Sequence, residues 1–300
     1  MVSKHGFDEA SLTEVFGQAK YHPRIVALMD KATKPIRWDE YRPLFVNDQK
    51  LAAGERFWRQ HRASLESAEE RYGVPAEMVV AIIGVETHYG RHTGGFRVLD
   101  ALKTLAFDYP RRAAQFRGEL EHFLLLTREE SLAPLVPKGS YAGAMGIAQF
   151  MPGSFRRYAV DFDQDGARDL FDNPVDAIGS VANYFTAHGW RSLEPVAIRV
   201  AVPDGLRGRF ENSPLDSRYR LERLVEDGVR FDGVFEGHER ALPVHLPIRG
   251  GEEHWLGFDN FYVITRYNRS KYYAMAVFQL SEALGERMTR IEAGEPASQD

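Results

Sequence analysis

From Met78 the chain runs eight residues without a charge, "MVVAIIGV", and then places Glu86 three, four and seven residues after Ile83, Ile82 and Val79. That spacing predicts an amphipathic helix carrying a carboxylate on its apolar face. Pro75 suits the first turn and Gly90 the stop, which puts Glu86 in the last turn. Upstream, Ser11 is placed to cap "LTEVFGQAK", and Asp48 to Tyr72 reads as one long charged helix. Downstream, Pro110 opens "PRRAAQFRGELEHFLLLTREE", with Phe116, Leu120, Phe123 and Leu124 on one stripe. A glycine-rich turn region follows, "PKGSYAGAMGIAQFMPGSFRRYA", then helical patterns at Pro174 to His188 and Lys271 to Thr289 and a polar tail. Between the last two the texture changes. "PVAIRVAV", "VRFDGVF", "ALPVHLPI" and "FYVITRY" are short, β-branched or aromatic, and read as strands of a small inserted β subdomain.

The hydrophobic share of 44% over 300 residues supports a sizeable core in two or three subdomains. The net charge of −5, with basic residues scattered, argues against a nucleic-acid partner. No apolar run reaches the roughly 20 residues of a membrane span, and "MVSKHGFDEA" lacks the apolar stretch of a signal peptide. Zero cysteine excludes disulfides, thiolate catalysis and thiolate metal sites.

Two segments carry candidate chemistry. Asp161, Asp163 and Asp165 followed by Gly166 match the opening of an EF-hand loop, whose alternate acids converge on Ca²⁺ while the glycine permits the sharp turn. The loop departs at its twelfth position, Asp172 in place of Glu, and at its eighth, Arg168; Asp176 is the alternative closing carboxylate. Glu86 is the second. A helix C-terminus and apolar neighbours both disfavour a carboxylate's charge, as a proton donor near neutral pH requires. His88 and His92, split by Gly90 and without a placed third ligand, do not make a zinc site.

The stretches "GVETHYG", "YPRRAAQF", "SYAGAMGIAQFMP", "DFDQDGARDLFDNPVDAIGSVANYF" and "RYNRSKYYAMAV" occur in consistent order over roughly residues 35 to 280. Together they resemble the MltB-type (soluble lytic transglycosylase B) family of peptidoglycan-cleaving enzymes. The resemblance implies a mainly α (α+β) protein: a lysozyme-like helical core with an extra helical region, a small inserted β subdomain and an EF-hand-like metal loop. On this sequence that divides into a helical region 1–74, with 110–135 expected to pack on it; a core of 75–194 plus 262–292 containing the loop 161–176; and the β subdomain 195–261. The resemblance makes Glu86 the single catalytic acid/base. It sets Ser140 and Gln149 beside the reacting sugar, makes Tyr184 a cleft tyrosine, and sets Tyr41, Arg111, Arg112, Tyr267, Asn268 and Tyr273 as cleft residues on the glycan or its peptide stem. Asp161, Asp163, Asp165, the Ala167 carbonyl and Asp176 would hold one structural Ca²⁺, with no organic cofactor; Asn173 is an extra residue before the closing ligand.

The implied reaction cleaves the β-1,4 bond between N-acetylmuramic acid and N-acetylglucosamine and closes a 1,6-anhydro ring, with Glu86 acting as acid and then as base. The implied partners are peptidoglycan strands, muropeptides and other cell-wall enzymes, and the implied location is the periplasm, its leader missing from this chain. Asp100 and Asp108 stay open as a second carboxylate, which would make the enzyme a hydrolytic muramidase. A non-catalytic, calcium-binding glycan-binding or scaffolding protein is the alternative from another class.

Overall fold

The protein is described from a computed structural model, in which residues 1–31, 36–233 and 240–294 are described. The chain forms two compact units, Met1–Lys34 with Glu86–Asn183 and Pro35–Val85 with Tyr184–Asp300.

In the first unit the helix Val98–Asp108 packs against Ala113–Glu129, which also receives Pro152–Tyr158, while Pro23–Asp30 lies along Val98–Asp108. Leu99, Leu102, Leu105, Phe116, Phe123, Phe150 and Phe155 are sealed from solvent between them. Burying side chains of this size contributes about 1.5–3 kcal/mol each before entropy is counted. Glu121 of Ala113–Glu129 accepts from Lys4 Nζ at 2.7 Å, which holds the N-terminus on that helix. Two short strands, β1 (Phe96–Arg97) and β2 (Lys138–Gly139), pair antiparallel and lead into the glycine-rich segment.

The second unit joins the helices Asp48–Gln60, Arg62–Tyr72, Asp259–Tyr267 and Lys271–Glu292 to an antiparallel sheet. Its strands are β3 (Ala197–Arg199), β4 (Tyr219–Arg220), β5 (Arg240–Ile248) and β6 (Gly251–Gly257), in the order β3-β6-β5-β4. Phe210, Leu221, Leu224, Val229, Ala241, Leu256 and Phe258 form a small separate core beneath it.

Several expected elements take another form. "FYVITRY" is helical, within Asp259–Tyr267, despite its β-branched composition. Asn260, Phe261, Val263, Ile264 and Thr265 are all buried there, so packing on two flanks overrides a weak local preference. The stretch from Asp48 to Tyr72 is two helices meeting at His61, whose φ of −115° and ψ of 24° interrupt the hydrogen-bond ladder. Pro110–Arg112 is a 3₁₀ turn before the α-helix starts at Ala113. "EEHWLG", polar in sequence, is strand β6. Of "VRFDGVF", Arg230 pairs with Ala201, and residues 234–235 lie outside the described residues, as do 295–300 of the tail.

Asn260 is fully buried and ties the helix Asp259–Tyr267 to the preceding loop. Its Nδ2 donates to the carbonyls of Arg191 at 2.8 Å and Glu194 at 2.9 Å, and its Oδ1 accepts from Arg191 N at 2.8 Å. Asn260→Ala removes all three bonds at a fully buried position and leaves a void there. It is expected to cost about 3 kcal/mol of stability, measured by chemical denaturation.

Candidate active site and metal loop

The helix Ala76–Thr87 ends one residue after Glu86 because its next two residues, His88 and Tyr89, take left-handed backbone conformations with φ of 51° and 61°, followed by Gly90 at 81°. Thr87 fixes this end. Its buried hydroxyl donates to the Ile147 carbonyl at 2.9 Å and accepts from Gly90 N at 2.9 Å. Glu86, half-buried, is therefore presented by a helical turn anchored at its last residue to the glycine-rich segment.

That segment is itself tightly specified. Met145 and Phe150 exchange backbone hydrogen bonds at 2.9 and 3.1 Å, closing a turn in which Gln149 has a φ of 50°. Gly146 cannot be replaced: at φ 69°, a Cβ would stand 2.2 Å from the Leu170 carbonyl oxygen. Ile147 N donates to that same carbonyl at 2.7 Å. Gln149 Nε2 donates to Thr93 O at 3.0 Å and to Gly146 O at 2.9 Å, which engages both amide hydrogens and leaves Oε1 as an acceptor. Ser140 Oγ accepts from Ala142 N at 3.3 Å and Ala144 N at 3.0 Å, so its own O–H remains available to donate. The first unit thus gathers Glu86, Ser140 and Gln149 onto one hydrogen-bonded framework.

Leu170 belongs to the acidic loop, which links this framework to the candidate metal site. Carboxylate oxygens of Asp161, Asp163 and Asp176 lie within 4.8 Å of one another. Asp176 is fully buried, accepting from Phe162 N and Asp169 N at 2.7 Å each. Burial pushes its carboxyl up from the usual carboxylate range; the two backbone donors work against this, and the neighbouring Asp163 and Asp161 add to the rise. Three converging carboxylates, one buried, are a donor set suited to a hard cation such as Ca²⁺. Asp165 does not join them: its carboxylate accepts from Ala167 N at 2.9 Å, and both residues are exposed. Asp172 is exposed and donates its backbone N–H to Asp169, so Asp176 is the carboxylate that lies with Asp161 and Asp163.

The candidates for a second carboxylate separate cleanly. Asp100 is buried, which alone would raise its pKa, but Arg97, the Lys20 backbone and His22 hydrogen-bond to it and the net shift is downward. It is a structural anchor, held by Arg97 Nε at 2.8 Å. Asp108 is exposed. His88 and His92 have ring centroids 5.8 Å apart and belong to no metal-type cluster among the described residues. Arg111 and Arg112 are exposed, the first 3.4 Å from Asp30 and the second over the Phe116 ring at 5.1 Å.

In the second unit, Tyr184 packs against Tyr267 at 4.8 Å between ring centroids and against His188 at 4.0 Å, and its hydroxyl donates to the Arg266 carbonyl at 2.7 Å. Asn268, exposed, ends the helix Asp259–Tyr267 in extended conformation. Tyr41 belongs to a different aromatic group with Trp38, Phe45 and Tyr272. Tyr273 is buried, its backbone N–H donating to the cap residue Ser270. A cavity of about 640 Å³ in this unit, lined by Trp38, Arg42, Arg199, Trp255 and Gln279 among others, includes none of the residues the resemblance nominates. Reading the sequence missed Thr87 and Ile147, and nothing short of tertiary contacts could have named them.

Comparison with known proteins gives concordant matches. Residues 1–282 match the family described as "Transglycosylase SLT domain". Membrane-bound lytic murein transglycosylase B of Escherichia coli (strain K12) is 46% identical over 295 residues, covering 95% of this chain and 80% of that protein. Among solved structures, the soluble lytic transglycosylase SltB1 of Pseudomonas aeruginosa superimposes with a TM-score of 0.90 at 44% identity, over 96% of this chain and 97% of that one. The Escherichia coli lytic transglycosylase Slt35 in complex with calcium gives 0.90 at 45% identity, over 97% and 91%. The mainly helical, lysozyme-like fold and the extent of these matches lead to one conclusion: the chain belongs to the SLT-domain transglycosylase family and is a peptidoglycan lytic transglycosylase.

Proposed function

We propose that Glu86 is the residue on which this activity turns, acting first as acid and then as base. The observation that carries this reading is the placement of Glu86: half-buried in a helix's last turn that Thr87 clamps to the same segment that holds Ser140 and Gln149. Cleavage of the β-1,4 link requires a proton on the departing oxygen and stabilisation of an oxocarbenium-like centre. Protonated Glu86 supplies the first, and the substrate's own N-acetyl group serves the second in place of another carboxylate. The ionised Glu86 then takes the proton of the C6 hydroxyl as that oxygen attacks C1, closing the 1,6-anhydro ring without consuming water. Asp100, fully committed to Arg97, His22 and Lys20, gives no support to a hydrolase with a second carboxylate.

Ser140 and Gln149 are the polar groups for the sugar on the first unit, and the exposed Arg111 and Arg112 suit the carboxylates of a peptide stem. Tyr41, Tyr267 and Asn268 are the glycan contacts of the second unit, where an aromatic face can stack on a sugar ring, while Tyr184 and Tyr273, buried, support that surface from beneath rather than stacking on the sugar. Asp161, Asp163 and Asp176 would hold one Ca²⁺, as the calcium complex of the Slt35 relative encourages, with the Ala167 carbonyl as a further oxygen and Asp165, engaged with Ala167 N, joining only by local rearrangement. The ion supplies cohesion to the loop rather than chemistry. No helix among the described residues is long and apolar enough to cross a membrane, and the periplasm is where the substrate lies.

Three outcomes test this reading. Glu86→Gln is expected to lose at least about 100-fold in release of anhydro-muropeptides from purified peptidoglycan, read by mass spectrometry, with thermal stability unchanged. Reducing ends in the wild-type products would instead mean water as the nucleophile. Thr87→Val, which keeps the shape but removes the hydroxyl, is expected to lower kcat about tenfold with a smaller change in KM, because it frees the turn that aims Glu86. Chelation is expected to lower Tm, with calcium restoring it, before activity is lost at temperatures where the fold persists. Loss of activity in a folded, chelated protein would give the ion a chemical role.

A further inference from the structure

Strands β5 and β6 carry a second cluster of ligand-type side chains, unrelated to the acidic loop. The register sets His245 directly opposite His254, and Glu252, two residues before His254 on the same strand, shares its face of the sheet. Candidate ligand atoms of His245, Glu252 and His254 lie within 4.8 Å of one another. His245 Nε2 is 2.8 Å from Glu252 Oε2 and His254 Nε2 is 3.7 Å from Glu252 Oε1. A tetrahedral zinc ion with bonds of about 2.0–2.2 Å holds its donors about 3.4 Å apart, so these separations bracket what zinc requires.

His254 supplies an independent observation. Its side chain is only 7% exposed, its ring meets Phe210 edge-on at 5.3 Å, and its Nε2 has no hydrogen-bond partner among the described residues. At 3.7 Å Glu252 is too far to satisfy that nitrogen, and a buried unpaired polar atom costs roughly 1–3 kcal/mol. Burial also pulls the His254 pKa down, with Glu252 opposing and His245 and Arg207 reinforcing the shift. Glu252 is in turn held by Arg207 Nε at 3.2 Å, the arrangement in which an outer partner orients a ligating carboxylate.

We propose that His245, Glu252 and His254 form a site for a zinc-class divalent metal ion, clamping β5 to β6 over the small core of the second unit. Two imidazoles and one carboxylate favour a borderline metal over the hard calcium suited to the all-oxygen acidic loop. Three protein ligands leave the fourth position to water or a small anion.

The test is calorimetric titration of the tag-free chain, first stripped by chelator, with zinc chloride in the presence of excess calcium to saturate the acidic loop. One zinc ion per chain and a higher Tm are expected. His245→Asn, at a partly exposed position that spares the core, and Glu252→Gln should each weaken binding at least about tenfold while circular dichroism stays unchanged. Cobalt in place of zinc should give the intense visible absorption of a tetrahedral site. No zinc uptake under excess calcium, uptake that His245→Asn leaves intact, or the weak spectrum of an octahedral oxygen site would each overturn the assignment.

Discussion

The hydrogen bond from Thr87 Oγ1 to the Ile147 carbonyl is the contact on which the arrangement of the catalytic unit depends. On one side it fixes the last turn of the helix that carries Glu86. On the other, Ile147 passes the constraint to Leu170 through its backbone N–H, and Leu170 lies in the loop bounded by Asp161 and Asp176. Glu86, Gln149 and the candidate metal loop are thereby linked through one short chain of hydrogen bonds. A metal at the loop could thus support catalysis mechanically: it would hold Leu170, which holds Ile147, which holds Thr87.

Close backbone approach explains why this region is rich in glycine. Gly146 lies against the Leu170 carbonyl, and a Cβ on Gly94 would fall 2.1 Å from the Gly139 oxygen, so larger residues would push the framework apart. Of the six non-glycine residues with positive φ among the described residues, three, His88, Tyr89 and Gln149, border the same framework. Left-handed backbone at such residues costs energy that only surrounding structure can offset, and the adjacent pair His88 and Tyr89 places that cost directly after Glu86.

The two candidate metal sites differ in kind. The acidic loop is a local device, with three acids spaced along sixteen residues of chain and a hard-cation donor set. The histidine cluster is made by strand pairing, presents nitrogen donors, and sits beside a separate small core. If both are occupied as proposed, the difference in donor chemistry would sort a hard cation to the first and a borderline one to the second.

Much of this was legible in the sequence. Apolar periodicity around Glu86, the Pro75 start, the Asp-x-Asp-x-Asp-Gly run and the β texture of "PVAIRVAV" and "ALPVHLPI" each reflect constraints that act within a few residues, and such constraints are written in local order, whereas the helices Asp204–Glu211 and Leu221–Glu226 inside the expected β subdomain were not read. What the sequence left ambiguous turned on partners distant in the chain. "FYVITRY" is a helix whose start is held by the buried Asn260 and Phe261, and Asp165 accepts from its own turn while Asp176 lies with Asp161 and Asp163. Thr87 gave no signal, being one threonine among many until Ile147 was beside it. His245 and His254 were equally silent, nine positions apart, until the register of β5 and β6 set them face to face. The sequence determined the elements and the chemistry they carry; the tertiary structure alone decided which side chains meet, because burial and strand register are properties of the folded chain.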